Sequence, residues 1–322
     1  MEKFAKPIIA VSKCLGFEAC RYNGQMSNDS FVEKLKDYVE YKTVCPEVAI
    51  GLETPRDTLR LVREGENIRI LQPKSNNDYT EKMMEFSNEF LKNIGEVDGF
   101  ILKSRSPSCG IKDVKIYESI ERGSASKKGK GIFGDLVSQL FYNLPIEDDG
   151  RLRDYTIRHH FLTKLYLMAS FREIKRSKSI EELINFHNRN QLLFMSYNQK
   201  QLNNLKNVLN NKENLNKEEM FNEYEKYLAL VFVRMPRYTS NIKVLMKSME
   251  YFLDKLSLKE KEFILDTIEK YKNHHVPFTV PLYVIKSYVV RFEIHELLNQ
   301  SFFEPYPEEL IETRDSGKMV DN

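Results

Sequence analysis

The segment PIIAVSKCLGFEACRYNG, residues 7–24, runs a short β-rich stretch directly into two cysteines and two glycines. Residues 7–12 read as a core strand because apolar and β-branched side chains follow one another without helical spacing. The same signal recurs in YKTVC (41–45), NIRIL (67–71) and DGFILK (98–103). Helical patterns separate these runs. NDSFVEKLKDYVE (28–40) places Phe31, Leu35 and Tyr38 at helical spacing behind an Asn/Asp/Ser cap cluster. In NDYTEKMMEFSNEFLKNIG (77–95), Asp78 can cap, Glu81 follows three residues later, Met83, Phe90, Leu91 and Ile94 share a face, and Gly95 ends the run. Alternating strands and helices predict an α/β fold, Rossmann-like, with a mainly parallel sheet.

From about Asp154 to Gln300 the pattern is helix after helix without a single glycine. IEELINFHNRNQLLFMSY (180–197), EEMFNEYEKYLALVFV (218–233), IKVLMKSMEYFLDKL (242–256) and LKEKEFILDTIEKYKN (258–273) are the clearest cases. A separate all-α domain is therefore expected behind the α/β domain. The expected boundaries are 1–145, 154–307 and a polar tail over 308–322, with LPIEDDGRLRD (144–154) as linker. ERGSASKKGKG (121–131) reads as a loop closing the first domain's strand region.

At 322 residues the chain has room for two ordinary domains. Its 49 basic and 47 acidic residues nearly balance, so a nucleic-acid surface must be a local patch. No run approaches the roughly 18 consecutive apolar residues of a membrane span, and the N-terminus does not read as a signal peptide. The expected location is the cytoplasm, where thiols stay reduced and a structural disulfide is disfavoured.

All four cysteines, Cys14, Cys20, Cys45 and Cys109, lie in the first third of the chain. Three of them, Cys14, Cys45 and Cys109, follow expected strands, and the C-terminal ends of parallel strands share one edge where ligands bind. Their spacing does not match the tight CxxC pairs of zinc ribbons and fingers. Three thiolates can hold a [4Fe-4S] cluster with one iron left open, a Lewis acid. Three buried core cysteines are the plainer alternative. The flanking residues favour a site: CPEVAIGLETPR (45–56) sets Glu47 two residues past a cysteine, and LKSRSPSCG (102–110) gathers Lys103, Ser104, Arg105, Ser106 and Ser108 before Cys109. Hydroxyls and cations at the end of an apolar strand suit hydrogen bonding to a sulfide or carbonyl and offset a cluster's negative charge.

The motifs SKCLGFEACRYNG, VCPEVAIGLETPR and ILKSRSPSCG, in this order, resemble the thiouracil desulfidase family. FHNRNQLLFMSY and HHVPFTVPLYVIKSYV (274–289) resemble the helical YbgA-type domain often fused behind it. The resemblance implies non-redox removal of sulfur from a thiolated pyrimidine, with a [4Fe-4S] cluster on Cys14, Cys45 and Cys109 and one open iron. Fused two-domain members imply 4-thiouridine in tRNA as substrate, converted to uridine. On this reading Glu47 carries the proton, as a carboxyl raised by desolvation beside a cluster, with a helix or turn cap as its alternative role. Ser104 hydrogen-bonds the pyrimidine, backed by Ser106 and Ser108, while Lys103, Arg21 and Cys20 line the substrate pocket. Each serine has an alternative as a turn residue. Cys20 is expected in a turn off the strand end, as a pocket thiol and not a fourth ligand.

Between Arg151 and Lys178 eight basic residues face two acidic ones. Arg158, Arg172, Lys175 and Arg176 from this stretch are the expected tRNA contacts, a solvated helix face being the alternative. His187 and the His274–His275 pair read as capping or core histidines. Partners are therefore tRNA or a thiolated nucleoside and no membrane, and the sequence is compatible with a homo-oligomer. Two other readings stand beside this one: a desulfidase of free thiouracil or thiouridine, and a non-catalytic, metal-stabilised RNA-binding protein.

Overall fold

The computed structural model describes residues 4–211 and 215–311. The strands are β1 (Ile8–Ser12), β2 (Glu40–Val44), β3 (Arg60–Glu64), β4 (Asn67–Gln72), β5 (Asn77–Asp78), β6 (Gly99–Leu102), β7 (Val114–Tyr117), β8 (Ser126–Gly129) and β9 (Ile146–Asp148). Among them run α1 (Ser30–Leu35), α2 (Pro46–Ala49), α3 (Thr80–Asn93) and α4 (Ile132–Leu140). Then come α5 (Tyr155–Ser177), α6 (Ile180–Arg189), α7 (Gln191–Tyr197), α8 (Gln199–Asn210), α9 (Lys217–Val231), α10 (Tyr238–Glu250), α11 (Leu258–Lys272), α12 (Thr279–Arg291) and α13 (His295–Leu298).

The first unit holds two sheets. Strands β2, β1, β6 and β9 form a four-stranded sheet in that order, parallel throughout. The interior strands β1 and β6 are buried on both faces, which is why IIAVS and GFIL are nearly continuous apolar runs. Edge strand β2 needs burial on one side only, and EYKTV is correspondingly mixed. Phe133 and Val137 of α4, with Leu91 of α3, pack against Ala10, Phe100 and Leu102. Gly99 lets α5 approach the opposite face, since a Cβ there would lie 2.9 Å from Leu165 Cδ1.

The second sheet, in the order β5, β4, β3, β7, β8, is mostly antiparallel. The four-stranded sheet is the parallel sheet that the sequence predicts, and this second sheet stands beside it in the same unit. NIRIL is a strand, but it turns back on β3 across Glu64 and Asn67. Part of the expected loop 121–131 is β8. The expected linker 144–154 is likewise structural: Ile146–Asp148 is the fourth parallel strand, paired with Phe100–Leu102. A three-residue strand followed by Asp-Asp-Gly carries the local signature of a turn, so only its tertiary pairing reveals it.

Compactness divides the described chain into residues 4–170 with 309–311 and residues 171–308, the division falling within α5. The second unit is helical, and its element starts follow capping chemistry. Asn216 and Ser257 open α9 and α11 with full capping boxes closed by Glu219 and Glu260. Asn190 separates α6 from α7 within the expected helix 180–197. His187 is a core histidine, its Nδ1 3.1 Å from the Tyr224 hydroxyl and its pKa lowered to about 4 by burial. Most of the expected polar tail lies outside the described residues; Leu310, within them, is buried.

One feature of the first unit fixes the loop that carries Cys109. The opening turn of α4 donates Ile132 N–H to Pro107 O at 3.2 Å and Gly134 N–H to Ser108 O at 3.0 Å. These helix-start donors have no partner within the helix, so the cysteine loop is their acceptor. Backbones can meet so closely only without side chains: a Cβ on Gly134 would lie 2.6 Å from both Cys109 O and Gly110 O. Gly134→Ala is therefore expected to destabilise the protein by about 1–3 kcal/mol through overpacking. Urea denaturation checks this, and an unchanged midpoint would show the loop to be compliant.

Candidate functional site

The parallel register of β2, β1 and β6 brings their C-terminal ends to one edge. Cys14 lies two residues past β1, Cys45 is the first residue past β2 and caps α2, and Cys109 sits in the loop after β6. All four cysteines are free thiols and line one cavity of about 400 Å3. Arg21, Glu47, Lys103, Ser104 and Ser106 line it as well. Residues spread over almost a hundred positions of sequence thus meet at the sheet edge.

Cys20 lies within the constellation. It is 1 % exposed, and its thiol is hydrogen-bonded with both Cys14 and Cys45. The contact with Cys14 is the largest cause that lifts the Cys20 thiol to about 11. The contact with Cys20, followed by burial, pushes Cys45 up. Burial raises Cys109, while the hydroxyls of Ser12 and Ser106 hydrogen-bond to it and oppose the rise. Ser106 also accepts the N–H groups of Ser108 at 3.2 Å and Cys109 at 3.1 Å, so one serine shapes both the loop and the surroundings of the sulfur.

Glu47 is held by a cation and a hydroxyl. Its Oε2 accepts Arg56 Nη2 at 2.6 Å and Nε at 2.9 Å, and its Oε1 accepts the Ser108 hydroxyl at 2.8 Å. The side chains of Arg56 and Glu47 are only 5 % and 12 % exposed, so the pair is largely withdrawn from water. Such two-pronged pairs fix geometry as well as charge. Arg56 Nη2 further donates to Cys20 O at 3.1 Å, and Arg56 N–H to Tyr22 O at 2.7 Å. One arginine therefore ties the Cys20 turn to the carboxylate.

A second ion pair lies at the opposite side of the loop. Lys103 Nζ donates to Asp149, and Asp149 Oδ1 also accepts Ser104 N–H at 2.7 Å. Burial would raise the Asp149 carboxyl, but the hydrogen bonds from Lys103 and Ser104 hold it below its ordinary value. Ser12 Oγ accepts Lys103 N–H at 2.9 Å. Arg105, the next residue after Ser104, has φ 58°, a left-handed backbone uncommon for arginine, and lines the cavity.

Ser12, Tyr22, Arg56 and Asp149 are site residues that the sequence reading did not select. Arg56 stands at the end of the quoted motif GLETPR, and Asp149 directly follows β9 at the same sheet edge. Reading IED as a strand would have placed that acid correctly. The expected RNA contacts fare differently. Arg158 is 6 % exposed, with its guanidinium 5.4 Å from the Phe31 ring centre, a packed position and not an open one. Lys175 is paired with Glu225 in the helical unit, where Arg172 and Arg176 also lie. The charge count along α5 did not show which cations face inward.

Three thiols around one cavity could serve a single metal ion or a larger group. Among the described residues no three His, Cys, Asp or Glu side chains are arranged to hold a single metal ion. Cysteines lining one cavity from three strand ends supply the donor type of a polynuclear cluster, in which each thiolate meets a separate iron. No described helix is long and apolar enough to cross a membrane.

The comparisons with known proteins divide the chain in the same way. Residues 9–149 match the family model described as 2-thiouracil desulfurase, and residues 191–307 match a domain of unknown function, DUF1722. The uncharacterized protein YbbK of Bacillus subtilis (strain 168) is 33 % identical over 149 residues, covering 44 % of this chain and 97 % of YbbK. A solved structure described as a [4Fe-4S]-dependent thiouracil desulfidase, TudS, is 29 % identical, covering 46 % of this chain and 93 % of its own, with a TM-score of 0.37. With the cysteine edge carried inside residues 9–149, the chain belongs to the 2-thiouracil desulfurase family and joins that domain to a DUF1722 domain.

Proposed function

We propose that the protein is a non-redox desulfidase that converts a thiolated pyrimidine, 4-thiouridine in tRNA, to the oxygen form. The observation that carries this reading is the placement of Cys14, Cys45 and Cys109 at the ends of three neighbouring parallel strands, around a cavity also lined by Glu47 and Ser104. The family membership points to the same chemistry. Cys14, Cys45 and Cys109 would hold a [4Fe-4S] cluster with one iron open, and Cys20 stands beside Cys14 and Cys45 as a pocket thiol. Bound there, the cluster supplies a Lewis-acidic, sulfur-seeking iron.

The chain's own residues account for the rest. Overall, a thiocarbonyl and water give a carbonyl and hydrogen sulfide, so no electrons are gained or lost. A C–O bond forms at the ring carbon, a C–S bond breaks, and the protons of the water must be carried to the departing sulfur. Glu47 is the group placed to carry them. Arg56 fixes its Oε2, leaving Oε1 beside the Ser108 hydroxyl as the atom that can take a proton. A carboxylate held as an ion pair begins as a proton acceptor, so its first task is to deprotonate water. Ser104 lines the cavity, its backbone held by Asp149 and its hydroxyl 3.4 Å from Lys103 Nζ, and would hydrogen-bond the pyrimidine edge. Tyr22, 43 % exposed at the same cavity, offers a face on which a base can stack.

Anaerobically purified protein is expected to carry about four irons and four sulfides per chain. Serine at Cys14, Cys45 or Cys109 should abolish that content, and Cys20→Ser should retain it. Iron and sulfide quantification checks both, and a colourless, zinc-loaded and active protein would falsify the cluster reading.

Glu47→Gln should keep the iron content but lower turnover by about 10²–10⁴-fold, the usual contribution of a general acid–base group. Sulfide release measured under single-turnover conditions decides the matter. A variant within a few-fold of the parent would leave Glu47 with only its structural bonds to Arg56 and Ser108.

The substrate is tested by incubating the full chain with bulk tRNA and analysing its nucleosides. The expected result is loss of 4-thiouridine with a matching gain of uridine. Consumption of free thiouracil with tRNA untouched would establish the free-base reading instead.

A further inference from the structure

Two further cavities adjoin the cysteine cavity, and Arg105 lines all three. The first neighbour, about 450 Å3, shares Lys103 and Ser104 with the cysteine cavity and extends past Lys112 to Arg153. The second, about 570 Å3, shares Pro107 with it and extends past Lys115 along β7 and β8. The three cavities adjoin one another through these shared residues, entirely within the first unit.

The charges along these cavities are strongly one-sided. Four of their cations are neutralised locally: Lys103 by Asp149, Arg151 by Glu147, Lys128 by Asp113 and Lys127 by Glu118. The side chains of Arg105, Lys112, Lys115 and Arg153 are exposed, and among the described residues none of the four makes a hydrogen bond or salt bridge. They stand on three elements: Arg105 and Lys112 on the loop between β6 and β7, Lys115 on β7 itself, and Arg153 on the 3-10 turn after β9. Cations that ring one point favour a single phosphate or carboxylate. Cations strung along a groove favour a polyanion, each replacing condensed counterions at a different phosphate. The groove also carries a flat surface, since the Arg60 guanidinium lies 4.6 Å from the Tyr117 ring centre and both residues line it. Stacked planes of this kind receive unpaired bases, which a peptide polyanion lacks.

We propose that Arg105, Lys112, Lys115 and Arg153 carry the phosphodiester backbone of an RNA strand past the cysteine cavity, into which one base turns from the stack. The catalytic unit thereby holds the polynucleotide itself, independently of the helical unit. The role of the inserted base rests on the desulfidase reading above; the binding of the strand does not. A base in a stacked helix cannot reach a recessed site, so enzymes acting on a base turn it out while the backbone remains on the surface. Exposed cations lining the two cavities that adjoin the reactive one have the form this requires. The left-handed backbone of Arg105 stands where the three cavities meet.

The test is a titration of the full chain with an unmodified tRNA transcript, which carries no sulfur, across a range of salt concentrations. The triple variant Lys112→Gln, Lys115→Gln, Arg153→Gln leaves the cysteine cavity untouched, because none of the three lines it. Each phosphate contact contributes about 0.7–0.9 to the slope of log K against log salt, so the triple variant should lose roughly two units. Its thermal unfolding and its activity on free thiouracil should match the parent, showing that the fold and the site are intact. An unchanged slope and affinity in a folded variant would overturn the proposal. Equal binding of the parent to polyglutamate of matching charge would also overturn it, by showing a general polyanion surface. Should the parent fail to desulfurise any thiopyrimidine, the reading of the activity falls, while the slope still reports on the groove.

Discussion

Parallel pairing of β2, β1 and β6 is the constraint on which the site depends. A parallel sheet sends every strand end to the same edge, so residues distant in sequence meet there without any local motif. An antiparallel partner in place of either neighbour would send one of the three cysteines to the opposite edge. The sheet in turn depends on burial at both faces, supplied by α3 and α4 on one side and by α5 on the other. Packing of the first unit and assembly of its thiols are thus one event. The close approach of Gly131 and Gly134 to the Cys109 loop extends the same logic from the sheet to the last cysteine.

Two ion pairs then convert a gathering of thiols into a polarised site. Arg56 holds Glu47 and the Cys20 turn, while Asp149 holds Lys103 and the backbone of Ser104. Both pairs are shielded from water, so removing one partner strands a charge in a setting where it is expensive to keep. Side chains fixed in advance need no reordering when substrate arrives, which is the advantage of a preorganised site. The exposed cations around Arg105 sit outside this shielded region.

How much of this was legible depended on whether the information was local. Strands β1, β2 and β6 could be read because apolar runs announce them, and with them the edge at which Cys14, Cys45 and Cys109 meet. The helical unit was legible from its spacing and from Asn216 and Ser257 with their partner glutamates. Strand β9 was not, because its three residues are held by pairing with β6 and its acidic continuation imitates a turn. Asp149 was lost with it. Arg56 was missed because nothing in its neighbourhood shows that it reaches back to Glu47 and Cys20. Arg158 was misjudged through counting charge without asking which face of α5 it occupies; Leu162 and Leu165, one and two turns on, are fully buried.

The central claim is that three thiolates, and not four, hold a cluster at this edge. Iron-edge anomalous scattering from crystals of anaerobically prepared full chain would test it most directly. The account predicts one tetranuclear iron site, bonded to the sulfurs of Cys14, Cys45 and Cys109, with its fourth iron free of any cysteine. Four cysteine ligands including Cys20, or a single metal ion in place of the cluster, would contradict it.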